Sequence, residues 1–370
     1  MPDPVVIIGG GAAGLATARE LARRGVHYRL LERGTTPGQT WADLYDSLRL
    51  HTGRHLSGLP GMPMPRGTPL FPGRTDYHEY LNAYAQRHEL AVETQRTVRS
   101  ARRTNDGWIV ESDDERIPAR GVVVATGIVA NPFIPVFAGR AEFEAGGGRV
   151  QHSAAYRRPA PFAGRRVLVV GVGNSGAEIA SELARAGVDV AIAVRSGANV
   201  VPLTLAGVPI QYLGTLVRKL PRSAQEVVVG AVRRISERRR GPPVLPVPPH
   251  SALDGIPLIG FNLVDEIRAG RVAVRPGITS LTSTGVLFDD GAADLFDDVI
   301  MATGFRPALG LFGDAVRVDA GGFAVRTDRV RSADYDNLVF VGHNYDVRGG
   351  LLNIATDAPI AARHLERALS

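Results

Sequence analysis

The stretch VVIIGGGAAG at residues 5–14 decides the fold of this chain, and VLVVGVGNSG at residues 167–176 repeats its form. In each stretch a short apolar run, typical of a buried strand, leads into a G-x-G-x-x-G turn and then into an amphipathic helix. Such a turn lets the backbone approach a pyrophosphate at the positive N-terminus of a helix. One turn predicts one bound dinucleotide. Two turns predict two dinucleotides on one chain, and therefore electron transfer between them.

The composition is typical of a soluble globular protein with room for two domains. The chain has 370 residues, 44% of them hydrophobic, and a mean hydropathy near zero. It contains no cysteine, which excludes disulfides, thiolate metal sites and dithiol redox chemistry. No apolar run is long enough to span a membrane, and a first strand that begins at Val5 leaves no room for a signal peptide. We therefore expect a cytoplasmic protein with no membrane span and no metal site.

The positive charge of the chain reflects a bias toward arginine. The formal net charge is +6 at pH 7, and Lys219 is the only lysine. The densest basic stretch, residues 233–240, ends a predicted helix, where positive charge complements the helix dipole. We interpret this stretch as a solvated helix end rather than as a site for an anionic partner, and we expect no nucleic-acid binding.

An acid follows the first glycine turn at the spacing that suits a ribose. The predicted strand 28–31 ends at Glu32, which lies 18 residues after Gly14. In dinucleotide-binding folds an acid near this spacing binds the hydroxyls of the adenosine ribose. An acid at a strand end can also be accidental, but the preceding strand–turn–helix pattern favours the ribose role.

The second glycine turn is followed by a different pair of residues. The predicted strand 188–194 ends in Arg195 and Ser196 instead of an acid. An acid would repel a 2′-phosphate, whereas an arginine would pair with it. An ordinary surface arginine is the alternative in so arginine-rich a chain. The pair favours NADPH over NADH.

Further along, Ser223 to Glu226 has the form of a capping box, which marks the start of a helix. We predict a helix over residues 223–240 that packs through its valine and isoleucine side chains. The proline-rich residues 242–257 that follow are expected to be extended or turned.

The chain returns to its first domain after the second glycine turn. The runs VVVATG at 122–127 and VIMATG at 299–304 end alike, as expected of two crossings between domains. We predict an α/β protein of two Rossmann-like dinucleotide-binding domains. The first domain is discontinuous and comprises residues 1–162 and 297–370, and the domain inserted into it comprises residues 163–296.

An ordered set of motifs resembles the class B flavin-dependent monooxygenases, specifically their smaller YUCCA-like branch. Besides the glycine turns, the set comprises PGQTW at 37–41, YDSLRLHT at 45–52, VATG at 124–127, HSAAY at 152–156, MATGF at 301–305 and RGGLLNIATDAP at 348–359. The resemblance covers nearly the whole chain. It implies that the discontinuous domain binds FAD and that the inserted domain binds NADPH. It also implies that the reduced flavin captures dioxygen as a C4a-(hydro)peroxide and oxygenates a small organic substrate.

The resemblance leaves several reactions and two other functions open. N-oxygenation, S-oxygenation and oxidative decarboxylation of a 2-oxo acid are the expected reactions, with a small-molecule substrate and dioxygen as partners. A homodimer is a candidate assembly. The alternatives are an NAD(P)H-dependent flavoprotein reductase that passes electrons to a carrier protein, and a non-enzymatic dinucleotide-binding regulator. The motifs at 45–52 and 152–156 favour the monooxygenase, and two intact glycine turns make the regulator the weakest interpretation.

The resemblance also assigns site residues to this sequence. The residues expected to bind FAD are Gly9, Gly11, Gly14, Glu32, Gly38, Gln39, Trp41, Thr126 and Gly127. The residues expected to bind NADPH or to form the crossing between domains are Gly171, Gly173, Asn174, Ser175, Gly176, Arg195, Ser196, Thr303 and Gly304.

Two histidines match motif positions of the family. His51 matches a position on the C4a side of the flavin, where its neutral imidazole could donate a hydrogen bond or where the ring could be structural. His152 and Tyr156 match the end of a family fingerprint whose phenylalanine is replaced here by Gly146. We interpret His152 as a residue that shapes the linker between the domains rather than as a catalyst.

Overall fold

The computed structural model describes residues 2–113, 115–129, 131–344, 346 and 348–369. The chain divides into two compact units, of which one comprises Met1–Asn131 and Phe305–Ser370 and the other Pro132–Gly304. These divisions lie elsewhere than the predicted boundaries at 162/163 and 296/297. The strands Arg149–His152 and Asp298–Met301 pair with each other in the sheet of the second unit, so that unit begins earlier and ends later than predicted.

The elements are numbered along the chain. The first part of the first unit contains β1 (Val5–Ile8), α1 (Ala12–Ala22), β2 (Tyr28–Leu31), α2 (Gln39–Ala42), α3 (Arg54–Ser57), α4 (Arg74–Arg87), β3 (Val92–Glu93), β4 (Val98–Arg103), β5 (Trp108–Ser112), β6 (Glu115–Ala119) and β7 (Gly121–Val124).

The second unit follows without interruption. It contains α5 (Arg140–Ala145), β8 (Arg149–His152), β9 (Arg166–Val170), α6 (Asn174–Arg185), β10 (Asp189–Ala193), β11 (Val200–Val201), β12 (Thr204–Leu205), β13 (Val208–Pro209), α7 (Ile210–Val217), α8 (Arg222–Arg240), β14 (Leu258–Ile259), α9 (Asn262–Arg268), β15 (Val272–Arg275), β16 (Ile278–Leu281), β17 (Gly285–Phe288), β18 (Ala293–Leu295) and β19 (Asp298–Met301). The chain then completes the first unit with β20 (Leu338–Phe340) and α10 (Gly350–Ala368).

The first unit is built on a parallel sheet with the strand order β20-β7-β1-β2-β3. All residues of β1 and β7 are buried, which explains why both strands read as continuous apolar runs. Leu15 and Leu21 of α1 pack with Leu365 of α10 in a core on one face of this sheet. On the other face Trp108 of β5 packs in a second core. The first glycine turn and residues 125–127 follow neighbouring strands at the carboxyl edge, where open α/β sheets bind ligands.

The second unit repeats this plan with the parallel order β15-β10-β9-β19-β8. Here β9 leads into the second glycine turn, and its neighbour β19 leads into residues 302–304. Two parallel sheets, each with a glycine turn at its carboxyl edge, confirm the predicted α/β class with two Rossmann-like domains.

Candidate functional site

The first and last glycines of the first turn are required by the protein's own packing. Gly9 has a φ of +106°, and a Cβ there would lie 2.6 Å from the carbonyl oxygen of Ala125. A Cβ on Gly14 would lie 1.8 Å from the carbonyl oxygen of Gly9. These two glycines therefore allow the turn to close against β7 and allow α1 to start directly above β1.

The middle glycine of the turn has no such internal reason. Gly11 is the N-cap of α1 with extended backbone angles, and a Cβ at this position would meet no atom within 4 Å. As a glycine, this N-cap has no side chain that could accept from the N–H groups of the first turn, which a helix cannot satisfy internally. The open cradle fits a pyrophosphate that approaches the backbone closely.

Glu32 lies beside this turn as the sequence predicts. Its carboxylate is buried and accepts a hydrogen bond from the Gly10 amide at 2.7 Å and one from the Gly34 amide at 2.7 Å. A carboxylate can accept about four hydrogen bonds. The remaining lone pairs fit the hydroxyls of a ribose.

The motif at 37–41 is tied to the same turn. The Gly38 amide donates to the carbonyl of Gly10 at 2.9 Å, and Gly38 has a φ of +72°. The side chain of Gln39 accepts hydrogen bonds from the hydroxyls of residues 35 and 36, and the ring of Trp41 lies 4.5 Å from that of Tyr77 in α4. Gly38 is thus placed next to the glycine turn, whereas Gln39 and Trp41 support the loop that carries it.

Residues 126 and 127 follow β7 at the same edge. The hydroxyl of Thr126 is buried and has no hydrogen-bond partner in the described part of the chain. Gly127 has a φ of +68° and open space where a Cβ would lie. A buried hydroxyl without a protein partner is the arrangement expected of a ligand-binding group.

His51 lies in the segment between α2 and α3. Its neighbours Leu50 and Thr52 are buried, and His51 itself is partly exposed. The amide of Leu50 donates to the carbonyl of Pro72 at 2.8 Å, which fixes the backbone next to the histidine. The choice between a catalytic and a structural role for His51 stays a prediction.

The second glycine turn has the same construction as the first. Gly171 has a φ of +103°, and a Cβ there would lie 2.6 Å from the carbonyl oxygen of Ala302. A Cβ on Gly176 would lie 2.1 Å from the carbonyl oxygen of Gly171, whereas one on Gly173 would meet nothing within 4 Å. Packing within the protein therefore explains why the outer positions are glycine, whereas the close approach of a ligand would explain why position 173 is glycine.

Asn174 and Ser175, two predicted nucleotide-binding residues, differ in their surroundings. Ser175 is partly exposed in the first turn of α6. The side chain of Asn174 is engaged within the protein, because its amide group donates to the carbonyl of Pro257 at 3.3 Å and its oxygen accepts from the amide of Ile259 at 2.8 Å. Asn174 thus fastens a distant segment to the turn.

That segment closes a cavity of about 240 Å³ next to Gly173. Residues 196–199 after β10 form one wall, and residues 248, 250, 252 and 255–258 form another. We call residues 246–259 the strap. Arg195 and Ser196 are both exposed, and of the two only Ser196 lines the cavity. No sequence motif marks the strap, and its only signal is the density of prolines.

Thr303 and Gly304 bind the start of the second unit. The hydroxyl of Thr303 donates to the carbonyl of Phe133, and the carbonyl of Gly304 lies 2.9 Å from Nε2 of His152. Burial lowers the pKa of His152, and its Nδ1 accepts from the amide of Ala154 at 3.0 Å. A neutral ring with Nε2–H as donor satisfies both bonds, which agrees with a role in shaping the linker.

A further buried histidine had no signal in the motifs. His343 follows β20 and is 3% exposed, and neither of its ring nitrogens has a partner in the described residues. Burial, with a smaller contribution from the charge of Arg326, lowers the pKa of His343 to about 3. The ring lies 5.4 Å from that of Phe340 and 6.2 Å from that of Phe323, and it is therefore neutral at physiological pH.

The described residues hold neither a membrane-spanning helix nor a metal-binding cluster. No helix among them is long and apolar enough to cross a membrane. They also contain no group of three or more histidine, aspartate or glutamate side chains that could hold a metal ion.

Two Rossmann-like units with matched glycine turns define a dinucleotide-dependent oxidoreductase. A family model described as "Pyridine nucleotide-disulphide oxidoreductase" matches residues 6–239. The chain is 34% identical to indole-3-pyruvate monooxygenase YUCCA1 of Oryza sativa subsp. japonica, over 81% of this chain and 76% of the relative. It is also 34% identical to indole-3-pyruvate monooxygenase YUCCA6 of Arabidopsis thaliana, over 81% and 75% respectively. A solved flavin-containing monooxygenase from Stenotrophomonas maltophilia matches with a TM-score of 0.78 and 26% identity, over 99% of both chains.

The chain therefore belongs to the class B flavin-dependent monooxygenases, and its curated relatives are of the YUCCA-like branch. It is an enzyme that uses a flavin and a nicotinamide cofactor to oxygenate a small substrate with dioxygen. These findings confirm the predicted family and class of reaction. They set aside the carrier-protein reductase and the non-enzymatic regulator.

Proposed function

We propose that the first unit binds FAD, that the second unit binds NADPH, and that the substrate is a 2-oxo acid with an aromatic side chain. The cofactor assignment rests on one observation: the two glycine turns have the same construction, but the residues that follow their second strands differ. The first turn has the buried acceptor Glu32 beside it, whereas Ser196, in place of an acid, lines the cavity at the second.

The first unit suits FAD at three points. The open N-terminus of α1 at Gly11 would hold the pyrophosphate, and Glu32 would accept hydrogen bonds from the ribose hydroxyls. Thr126 offers a buried hydroxyl that has no partner in the described residues. Bound FAD would supply two-electron redox chemistry and the activation of dioxygen.

The second unit suits a phosphorylated nicotinamide nucleotide. Gly173 opens the N-terminus of α6 to a pyrophosphate. The strand that ends in an acid in NAD-binding units leads here to Arg195 and Ser196, and neither would repel a 2′-phosphate.

The relatives support the substrate class. Two proteins that are 34% identical to this chain are named as indole-3-pyruvate monooxygenases. In an oxidative decarboxylation of this kind, NADPH supplies two electrons and dioxygen supplies two oxygen atoms. One atom enters the new carboxylate, the other leaves as water, and the former carboxyl group leaves as carbon dioxide. A monooxygenase of this kind must keep water away from the reacting centre.

The test uses the purified protein with indole-3-pyruvate as the probe. The extracted flavin is identified by chromatography, and NADPH oxidation is followed under ¹⁸O₂. We expect FAD, and one ¹⁸O atom in the carboxylate of a product that has lost one carbon. Oxidation of NADPH that yields only hydrogen peroxide across a panel of aromatic 2-oxo acids would refute the substrate class. Extraction of a flavin other than FAD would refute the cofactor assignment independently.

A further inference from the structure

The strap gives the second nucleotide site a wall that a Rossmann unit does not itself supply. It lines the cavity at four places along its length, at Pro248, His250, Ala252 and residues 255–258. The opposite wall is the loop 196–199, which follows the second strand of the β9–α6–β10 unit. In this fold the end of that strand contacts the adenosine ribose. The cavity is therefore the adenosine half of the nucleotide site.

The ends of the strap are fastened to the nucleotide-binding unit by hydrogen bonds. At its start the amide of Ala198 donates to the carbonyl of Pro246 at 3.1 Å. At its end the side chain of Asn174 bonds both Pro257 and Ile259, as described above. The first of these bonds comes from the loop 196–199, and the others come from the second glycine turn. These two segments would surround a bound nucleotide.

The middle of the strap is held beside His250. The side-chain amide of Asn199 donates to the backbone carbonyl of His250 at 3.1 Å. The hydroxyl of Ser251 donates to Glu226 of α8 at 2.9 Å, and Asp254 forms an ion pair with Arg222 of α8 at 2.7 Å. Helix α8 therefore supports the strap, and the position of the His250 backbone is fixed from both sides.

His250 differs in chemistry from every other residue of the cavity. Among the lining residues of the described chain it alone can carry a positive charge. Arg195, the residue that the sequence favours for this task, is exposed like His250, but only His250 lines the cavity. A phosphate in the cavity would thus meet the imidazole of His250 and the hydroxyl of Ser196.

We propose that His250 is a specificity-determining residue that binds the 2′-phosphate of NADPH. This inference rests on the proposed function, in which the second unit binds NADPH. A protonated imidazole forms a charge-assisted hydrogen bond with a phosphate oxygen, and this bond is lost when the nucleotide has only a 2′-hydroxyl. The apolar side chains of Pro248 and Ile256 in the same cavity suit the adenine ring.

The experiment measures binding rather than turnover. Isothermal titration calorimetry gives the Kd of the full-length flavoprotein for 2′,5′-ADP and for 5′-AMP, which differ only in the 2′-phosphate. We expect His250→Gln to weaken 2′,5′-ADP by about ten-fold and to change 5′-AMP by less than about two-fold. His250→Arg should retain the preference, and His27→Gln, an exposed histidine of the first unit, should leave both constants unchanged. Circular dichroism verifies that each variant is folded.

The outcomes separate this inference from the proposed function. If the wild-type protein does not prefer 2′,5′-ADP, the assignment of NADPH fails, and the role of His250 fails with it. If the wild-type protein has the preference and His250→Gln keeps it, only the role of His250 is overturned. The same holds if His250→Gln weakens both ligands equally, or if Arg195→Gln removes the preference in its place.

Discussion

At the residue scale, glycines of one motif have different reasons to be glycine. A Cβ added at the outer positions of both turns would meet the protein's own carbonyls, whereas one added at Gly11 or Gly173 would meet no atom within 4 Å. The motif spacing predicted all of these positions because the turn is a local structure. It could not assign Asn174, Arg195 or His250, because the partners of these side chains lie far along the chain and depend on tertiary packing.

This difference predicts unequal losses of stability from alanine at two positions of the first turn. Gly14→Ala places a Cβ 1.8 Å from the Gly9 carbonyl, and we expect it to lower the free energy of unfolding by about 3 kcal/mol or more. Gly11→Ala has room for its Cβ and adopts allowed backbone angles, so it should lower that free energy by about 1 kcal/mol at most. Urea unfolding followed by circular dichroism checks both, with Gly67→Ala at an open, exposed position as the control. Equal losses from Gly11→Ala and Gly14→Ala would contradict the argument.

His343 predicts part of the acid sensitivity of the protein. Its pKa is about 3 in the folded chain because of burial, against about 6.5 when unfolded. Between these pH values the histidine is protonated in the unfolded state and neutral in the folded state. The contribution of neutral His343 to the free energy of unfolding is therefore present above about pH 6.5 and is lost as the pH drops toward 3. His343→Leu should reduce the stability lost between pH 6.5 and 5 by about 2 kcal/mol. Urea midpoints at both pH values check this, with His27→Leu at an exposed histidine as the control, and the same loss in all three proteins would contradict it.

At the element scale, the central strands and the extent of helix α8 were predictable, whereas the cap and the packing of α8 were not. Strands β1, β7 and β9 are buried runs of apolar residues in parallel sheets, so their sequence alone marks them. The predicted capping box at Ser223 is wrong, because the helix begins at Arg222 with Pro221 as its cap. The expected packing by all its apolar side chains is also wrong, since Val227 is 71% exposed. Glu226 serves the strap instead of the cap, a long-range contact with no local signal.

The strap predicts a distinct effect of Asn174→Ala. This change removes both hydrogen bonds from the end of the strap to the turn. We expect hydrogen exchange in residues 255–260 to become faster and the affinities for 2′,5′-ADP and 5′-AMP to fall by the same factor of about three to ten. Ser175→Ala, a neighbouring polar-to-alanine change, serves as the control for hydrogen exchange. A selective loss of 2′,5′-ADP affinity would show that Asn174 contacts the ligand directly.

At the scale of the whole molecule, the order of the two units was predictable but their limits were not. The runs ending in Thr126-Gly127 and Thr303-Gly304 were correctly read as crossings, since the chain divides after Asn131 and after Gly304. The predicted limits of the inserted unit were nevertheless too narrow at both ends. The last strand β19 belongs to the second sheet, and β8 is a four-residue strand that only its pairing with β19 assigns to that sheet. Such a short strand carries too little periodicity to be assigned without its partner. The homodimer and the cytoplasmic location stay predictions.

If each unit binds one cofactor, a substitution in either glycine turn should remove the thermal stabilisation by one cofactor and leave that by the other. A ligand present at about 100 times its Kd stabilises the unit that binds it by about 2.7 kcal/mol. Gly11→Ala should lose the thermal stabilisation by FAD and keep that by NADP⁺, whereas Gly173→Ala should lose the stabilisation by NADP⁺ and keep that by FAD. Each alanine fills an open cradle without a clash inside the protein, so each variant should fold and each serves as the matched control for the other. Calorimetric scans of the apoprotein with either ligand check the pattern. Loss of both stabilisations in both variants would mean that the two turns do not bind separate cofactors.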